Sequence, residues 1–446
     1  MDFMGCWKSG ESPIVNLAAA CAAAEDLQET LRDVRDTAGF GKVFRSQPVG
    51  LEGMLTVYQN DPELRSFFPH TLPFIVEKAG QLGSLLGPKP ELKKLIQGKA
   101  EQLTLSRQLV LSILANMFLC TIELDDREIP CCSFGALLFP RCPFPQEVAK
   151  LRMFVHYFER SRLEAPQGEL RIWRQVRSGT PSAETWKASK QPLLNMKVAE
   201  LGVGLEDEMG RGCLHADFAN MYLGGGVLSG GCVQEEIRFS ICPELCAAML
   251  VCPRMQEHEA ITIVGGEQFS AYGGYGRSLK YAGDFRDPTP RDKDGTVLVA
   301  ITAMDALDFR GQHAPLSRQL EEPLLLRELE KAAAAFAPTD EAALHQWPVI
   351  ATGNWGCGAF GGCVELKAIL QWLASSQGSR ELLYFPYDVD LGPALSSLAE
   401  DLSKAGVTVG QLFVALTATP QPRRGEDLFY HLRDQLAVIN PAVRRD

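Results

Sequence analysis

The chain of 446 residues is 46% hydrophobic and 22% charged, enough apolar material for a sizeable core spread over two domains. A formal charge of −11 excludes a general DNA- or RNA-binding surface, because neutralising phosphates takes clustered Lys and Arg. The longest apolar run, residues 109–122, is too short for a membrane span and carries Ser112, Asn116 and Thr121, so a buried helix is expected there and no membrane partner.

The opening Met1-Asp2-Phe3-Met4-Gly5-Cys6 has no basic segment followed by an apolar one, and no secretory signal is expected. Thirteen cysteines, an odd number without a repeated short spacing, point to a reduced intracellular compartment, with nucleus and cytoplasm both open. Cys242, Cys246 and Cys252 have no His or Cys to complete a zinc pattern and are read as small buried thiols, so no metal is expected.

In chain order, Ala- and Leu-rich periodicity predicts a helix over residues 15–35, then helices over 72–86, 91–103 and 106–121, the last capped by Thr104 or Ser106. A connection rich in Pro and Cys follows (129–145), then a helix over 147–162. Residues 163–191 are polar and read as irregular, which places the domain boundary close to them. Beyond that point, short strands are predicted at 213–218, 260–264, 296–302, 348–351 and 381–384. Helices alternate with them at 234–249, 323–335, 361–374 and 392–405. Such alternation predicts a layered α/β domain whose ligand binds beyond the carboxyl ends of the strands.

Two glycine clusters stand out. The first, Gly224-Gly225-Gly226-Val227-Leu228-Ser229-Gly230-Gly231, runs within three residues into Gln234-Glu235-Glu236. Glycine loses more backbone entropy on folding than any other residue, so this density implies backbone brought close to a ligand. The second, Thr352-Gly353-Asn354-Trp355-Gly356-Cys357-Gly358-Ala359-Phe360-Gly361-Gly362, also follows a strand and precedes a helix, where successive N–H groups can cradle phosphate. Neither is a Walker loop, and one such loop alone is ordinarily only a turn. Two in one α/β domain favour a diphosphate site. Glu235 and Glu236 could simply complement the helix dipole. Adjacent helical residues point about 100° apart, so the two carboxylates cannot do the same job. Asp217, ending the strand before the first loop, adds a third acid, or an Asx turn.

These motifs, together with Asp217-Phe218-Ala219-Asn220, resemble in content and order those of the eukaryotic-type poly(ADP-ribose) glycohydrolases. The resemblance covers nearly the whole chain. It implies an α/β macrodomain-like fold, a three-layer α/β/α sandwich with a mixed sheet over residues 186–446, preceded by an α-helical accessory domain in residues 1–185. It implies hydrolysis of the ribose–ribose O-glycosidic bond of poly(ADP-ribose), releasing ADP-ribose mainly from the chain end. Glu236 corresponds to the family's catalytic glutamate, protonating the departing oxygen and activating the attacking water. Glu235 and Asn220 match positions that orient the ribose hydroxyls, and Asp217 the positioning aspartate of the signature that also contains Phe218. Gly224, Gly225 and Gly226, and the loop Gly356, Cys357, Gly358, Ala359, Phe360 and Gly361, match segments that wrap the diphosphate, with Asn354 at their edge. Gln234 falls at the motif glutamine. Leu205 and Glu206 resemble the adenine contact, and Tyr272 and Tyr275 the tyrosine clasp. Tyr387 falls where relatives carry a Phe. The partners implied are poly(ADP-ribose) and poly(ADP-ribosyl)ated proteins, with no cofactor, no sequence-specific nucleic acid and a monomeric state. A macrodomain that binds ADP-ribose without cleaving it is the rival reading. A phosphoanhydride hydrolase, which would want Mg²⁺ ligands, is a third.

Overall fold

The computed structural model describes residues 67–443 apart from 89–90, 123–125, 139–142, 178, 180–181, 311–314, 388, 419–421 and 423. The helix expected at 15–35 lies outside the described residues. The strands among the described residues are β1 Glu101–Ser106, β2 Glu169–Val176, β3 Met196–Val198, β4 Leu214–Asp217, β5 Glu259–Val264, β6 Ser270–Gly273, β7 Lys280–Asp284, β8 Ala300–Ala303, β9 Val349–Gly353 and β10 Glu381–Phe385. The helices that matter here are α1 Leu72–Gly80, α2 Arg107–Phe118, α3 Pro145–Leu163, α4 Gln234–Ile241, α5 Glu322–Phe336, α6 Val364–Gln377, α7 Leu391–Lys404, α8 Val409–Thr417 and α9 Leu428–Ile439.

Eight strands form one mixed sheet in the order β1-β2-β5-β8-β4-β9-β10-β3. The strands from β8 to β3 run parallel, whereas β5, β2 and β1 pair antiparallel. The two remaining strands, β6 and β7, make a separate hairpin. Side chains alternate across the sheet: Ile261 and Ile263 enter the core shared with α1 to α4, and Ala260 and Val264 the core shared with α5 to α9. This is the layered α/β arrangement expected, with helices on both faces. Among the described residues no helix is long and apolar enough to cross a membrane.

The accessory helices are not a separate body. Strands β1 and β2, from the same stretch of chain as α1 to α3, extend the sheet, and the buried Arg107 at the start of α2 bonds Glu244 at 2.8 Å and Glu267 at 2.7 Å. Ser106 caps α2, accepting from the Leu109 N–H at 3.2 Å.

Three expectations are corrected. Residues 91–103 are not helical: the Leu95 N–H donates to the Val251 carbonyl, Gly98 turns the chain at φ +73, and β1 begins at Glu101. The buried Leu92 and Leu95 gave a helical spacing that tertiary hydrogen bonds override. Residues 163–191 contain the interior strand β2, disguised because its buried positions are Leu170, Ile172 and Arg174. The guanidinium of Arg174 is neutralised there by Glu259. The helix over 234–249 breaks after Ile241, where Pro243 cannot donate to the helical ladder, and resumes as short turns to Met249.

Candidate active site

Three neighbouring parallel strands, β4, β9 and β10, end at the same edge of the sheet, and the segments that leave them carry most of the residues singled out in the sequence. From β4 come Asp217, Phe218, Asn220 and the first glycine loop; from β9, Asn354 and the second; from β10, Tyr387. The carboxyl ends of parallel strands present unpaired backbone and helix starts together, which is why ligands bind there.

Gln234, the first residue of α4, ties that helix back to the strand. Its Oε1 accepts the Phe218 N–H at 2.8 Å and its Nε2 donates to the Ala216 carbonyl at 3.3 Å. Glu235 turns inward, its two oxygens accepting the N–H groups of Asn220 (2.9 Å) and Gly224 (2.6 Å). Glu236 accepts from Gly226 at 2.9 Å through Oε1 and from Val233 at 2.8 Å through Oε2. The adjacent carboxylates therefore hold different ends of one loop. That loop must be glycine where it meets them. A Cβ on Gly225 would lie 2.5 Å from Glu236 Oε1 and 2.7 Å from Glu235 Oε2, and one on Gly231 2.7 Å from Glu236 Oε1. Gly224 and Gly225 also have φ of +84 and +50, a region glycine enters at little cost.

Asp217 completes a cluster of three acids. It is 1% exposed, and among the described residues neither carboxylate oxygen has a hydrogen-bond partner. Burial pushes it up to about 8, with Arg238 opposing the rise and Glu236 and Glu206 adding to it. Glu235 is also raised well above its usual range, by burial and then by the charges of Asp217 and Glu236, against its two amide bonds. Asp217 keeps a proton at neutrality, since burial disfavours its charge and no described residue donates to its ionised form.

The second loop is anchored from below. Trp355 is fully buried, donates through Nε1 to the Met304 carbonyl at 3.0 Å, and has Lys367 Nζ 3.9 Å from its ring centre. Asn354 Oδ1 accepts from the Tyr384 hydroxyl at 3.0 Å. The loop closes where the Gly362 N–H donates to the Gly356 carbonyl at 2.9 Å. Gly358 and Ala359 are exposed, Cys357 and Phe360 half-buried, with the Arg310 guanidinium 5.1 Å from the Phe360 ring centre. Gly361, at φ +70, leads into α6. The Phe218 ring links the two loops, lying 3.6 Å from where a Cβ of Gly353 would sit.

The third component is the β6–β7 hairpin. The Tyr272 hydroxyl donates to Glu206 Oε2 at 3.3 Å, while Arg238 on α4 meets Glu206 Oε1 at 3.5 Å. Leu205 is buried beside them in a small core with Ala351 and Phe385. Tyr275 and Tyr387, 47% and 78% exposed, face each other with ring centres 6.1 Å apart, a pair of aromatic surfaces held open to solvent. Cys242, Cys246 and Cys252 are free and buried.

Sequence reasoning missed the residues that support these groups. Arg238 and Tyr384 lie among apolar neighbours in the sequence, which gives no signal of their role. Lys150 on α3 is fully buried and bonds the first glycine loop. Its signal was a charge in line with Phe154 and Phe158 at spacings of four on an otherwise apolar helix face. Burial draws its ammonium down to about 8, with Cys232 and Glu236 acting in the opposite direction.

The family model described as the poly(ADP-ribose) glycohydrolase macro domain fold matches residues 183–391, and the family's helical-domain model matches 59–174. Poly(ADP-ribose) glycohydrolase 1 of Arabidopsis thaliana is 31% identical over 509 residues, covering 95% of this chain and 91% of the relative. The probable poly(ADP-ribose) glycohydrolase 2 of the same plant is 31% identical, covering 79% of this chain and 78% of its own. Poly(ADP-ribose) glycohydrolase 1 of Caenorhabditis elegans is 33% identical over 75% of this chain and 42% of the longer relative. With both family models matched in order and these identities sustained over most of its length, this chain belongs to the poly(ADP-ribose) glycohydrolase family.

Proposed function

We propose that this chain hydrolyses the ribose–ribose O-glycosidic bond of poly(ADP-ribose), releasing ADP-ribose mainly from the chain end, with Glu236 as the group that moves the proton. The observation that carries the choice of Glu236 is the gradation of exposure among the three clustered acids. Asp217 and Glu235 are 1% and 2% exposed, while Glu236 is 7% exposed and stands between the glycine loop and the start of α4. As an acid it protonates the departing ribose oxygen; as a carboxylate it takes a proton from the attacking water. Glu235, pinned by two amides, orients the ribose hydroxyls with Asn220. Asp217, without a hydrogen bond of its own, sets the electrostatics beneath them.

Backbone N–H groups of the second glycine loop reach the diphosphate, while the first loop, whose Gly224 and Gly226 N–H groups are held by Glu235 and Glu236, brings glycine backbone close beside it, which suits an acidic protein with no broad basic surface. Glu206 and Leu205 receive the adenine, and Tyr272, Tyr275 and Tyr387 close over it and the adjoining ribose. Residues 186–446 form the catalytic part and 1–185 the accessory part. The substrates are poly(ADP-ribose) and proteins that carry it, acted on by a monomer within the nucleus or cytoplasm.

Incubation with long poly(ADP-ribose) in EDTA tests the reading. Release of ADP-ribose supports it. Intact polymer from a protein that binds ADP-ribose would make the chain a reader, and AMP would indicate phosphoanhydride cleavage.

A further inference from the structure

We propose that Lys150, on the accessory helix α3, is a positioning residue for the glycosidic reaction, its buried ammonium holding the glycine loop in the shape that presents Glu236. The inference rests on the reading of Glu236 as the proton-transfer group. Lys150 Nζ approaches four carbonyls of one loop, those of Gly226 (3.3 Å), Val227 (2.9 Å), Ser229 (2.6 Å) and Gly231. An ammonium has three protons, so these acceptors share it, and the loop is wound around a single cation. Its carbonyls thereby turn toward α3, while the N–H groups of Gly224 and Gly226 turn the other way, to Glu235 and Glu236.

Gly226 is gripped from both sides, its carbonyl by Lys150 and its N–H by Glu236 Oε1. Gly231 is gripped similarly, its carbonyl by Lys150, while its α-carbon packs so near Glu236 that a Cβ would lie 2.7 Å from Oε1. A loop with five glycines in eight residues would otherwise sample many shapes. An apolar side chain at position 150 would fill the same space but leave several buried carbonyls without a donor. Catalytic groups act only when held close to the productive geometry, and this lysine supplies that hold from outside the part of the chain that contains the reacting residues.

Lys150→Met, which keeps length and removes the donors, tests the proposal alongside Lys150→Arg, which restores charge and N–H groups. Both are followed by circular dichroism, thermal melting, calorimetric binding of ADP-ribose and turnover of poly(ADP-ribose). Lys150→Met is expected to fold and to bind ADP-ribose within about fivefold of wild type, because among the described residues the hydrogen bonds of Lys150 go to the first loop and none to the second loop or the tyrosines, while kcat falls about 100-fold. Lys150→Arg is expected to recover at least about a tenth of the wild-type kcat, since a guanidinium also donates to carbonyls. A kcat of Lys150→Met close to that of wild type overturns the proposal. So does loss of folded protein in both variants, or an equal fall in binding and turnover that arginine does not relieve, each of which makes the lysine a purely structural one. A wild-type chain that leaves the polymer intact defeats the reading of function itself, whereas an active wild type with an equally active Lys150→Met defeats only this inference.

Discussion

The α-carbon of Gly225 lies so close to the carboxylate of Glu236 that a Cβ there would come within 2.5 Å of Oε1. Glycine at this position is therefore a requirement of the acid's placement as well as of the φ of +50. Gly225→Ala is expected to cost about 1–3 kcal/mol of stability through backbone strain. By pushing both glutamates aside it should lower kcat on poly(ADP-ribose) about 100-fold. Thermal melts and steady-state kinetics check the two effects separately; a variant that loses stability but keeps its kcat would show that the carboxylates tolerate the displacement.

Glu236→Gln is expected to fold, to bind ADP-ribose, and to lose about 10²–10⁴-fold in turnover, because an amide can neither give nor take the proton. Glu235→Gln keeps an acceptor for only one of the two amides that now bind its carboxylate. Strong impairment of that variant is expected too, with a larger share of the loss in KM. Polymer turnover near wild-type rate by Glu236→Gln would move the proton transfer to another residue.

Tyr387 stands 78% exposed against Tyr275, and among the described residues no hydrogen bond holds its hydroxyl. Tyr387→Phe should be kinetically silent. Tyr387→Ala should weaken ADP-ribose binding about 3–10-fold, the value of one aromatic contact, with no loss of melting temperature. Titration calorimetry on both variants decides it, and equal affinities in all three proteins would take the ring out of the binding surface.

Asp217 makes stability depend on pH. Its carboxyl titrates at about 8 in the folded chain, against about 3.9 when unfolded. Between these values the folded state holds the proton and the unfolded state has lost it. The stabilisation is thus complete below about pH 4 and is lost as pH rises toward 8. Asp217→Asn cannot ionise. Its melting temperature relative to wild type should therefore rise between pH 5 and pH 8. A difference that stays constant across that range would mean that the buried carboxyl is ionised throughout.

The residues of the candidate site were legible because they lie in short contiguous motifs. Gly224 to Gly231, Gln234 to Glu236 and Asn354 to Gly361 each declare themselves by glycine density or paired acids. Strands β4, β9 and β10 were legible for a similar reason, being short apolar runs bounded by turns. Strand β2 was hidden because one of its inward positions is Arg174, whose burial depends on Glu259, 85 residues away. The segment 91–103 looked helical because Leu92 and Leu95 share a spacing, whereas Leu95 bonds the distant Val251 carbonyl and the chain then turns at Gly98.

By itself, the sequence determined the motif order, the alternation of elements and the family to which they belong, since these reside in residues close together along the chain. Tertiary structure decided how deeply each of the three acids is buried, Asp217 and Glu235 at 1% and 2% exposure and Glu236 at 7%. It also decided that the loop's carbonyls converge on Lys150 and that Glu206 is held between Tyr272 and Arg238. Burial and hydrogen-bond partnership depend on groups brought together across the fold, and no spacing along the chain encodes them.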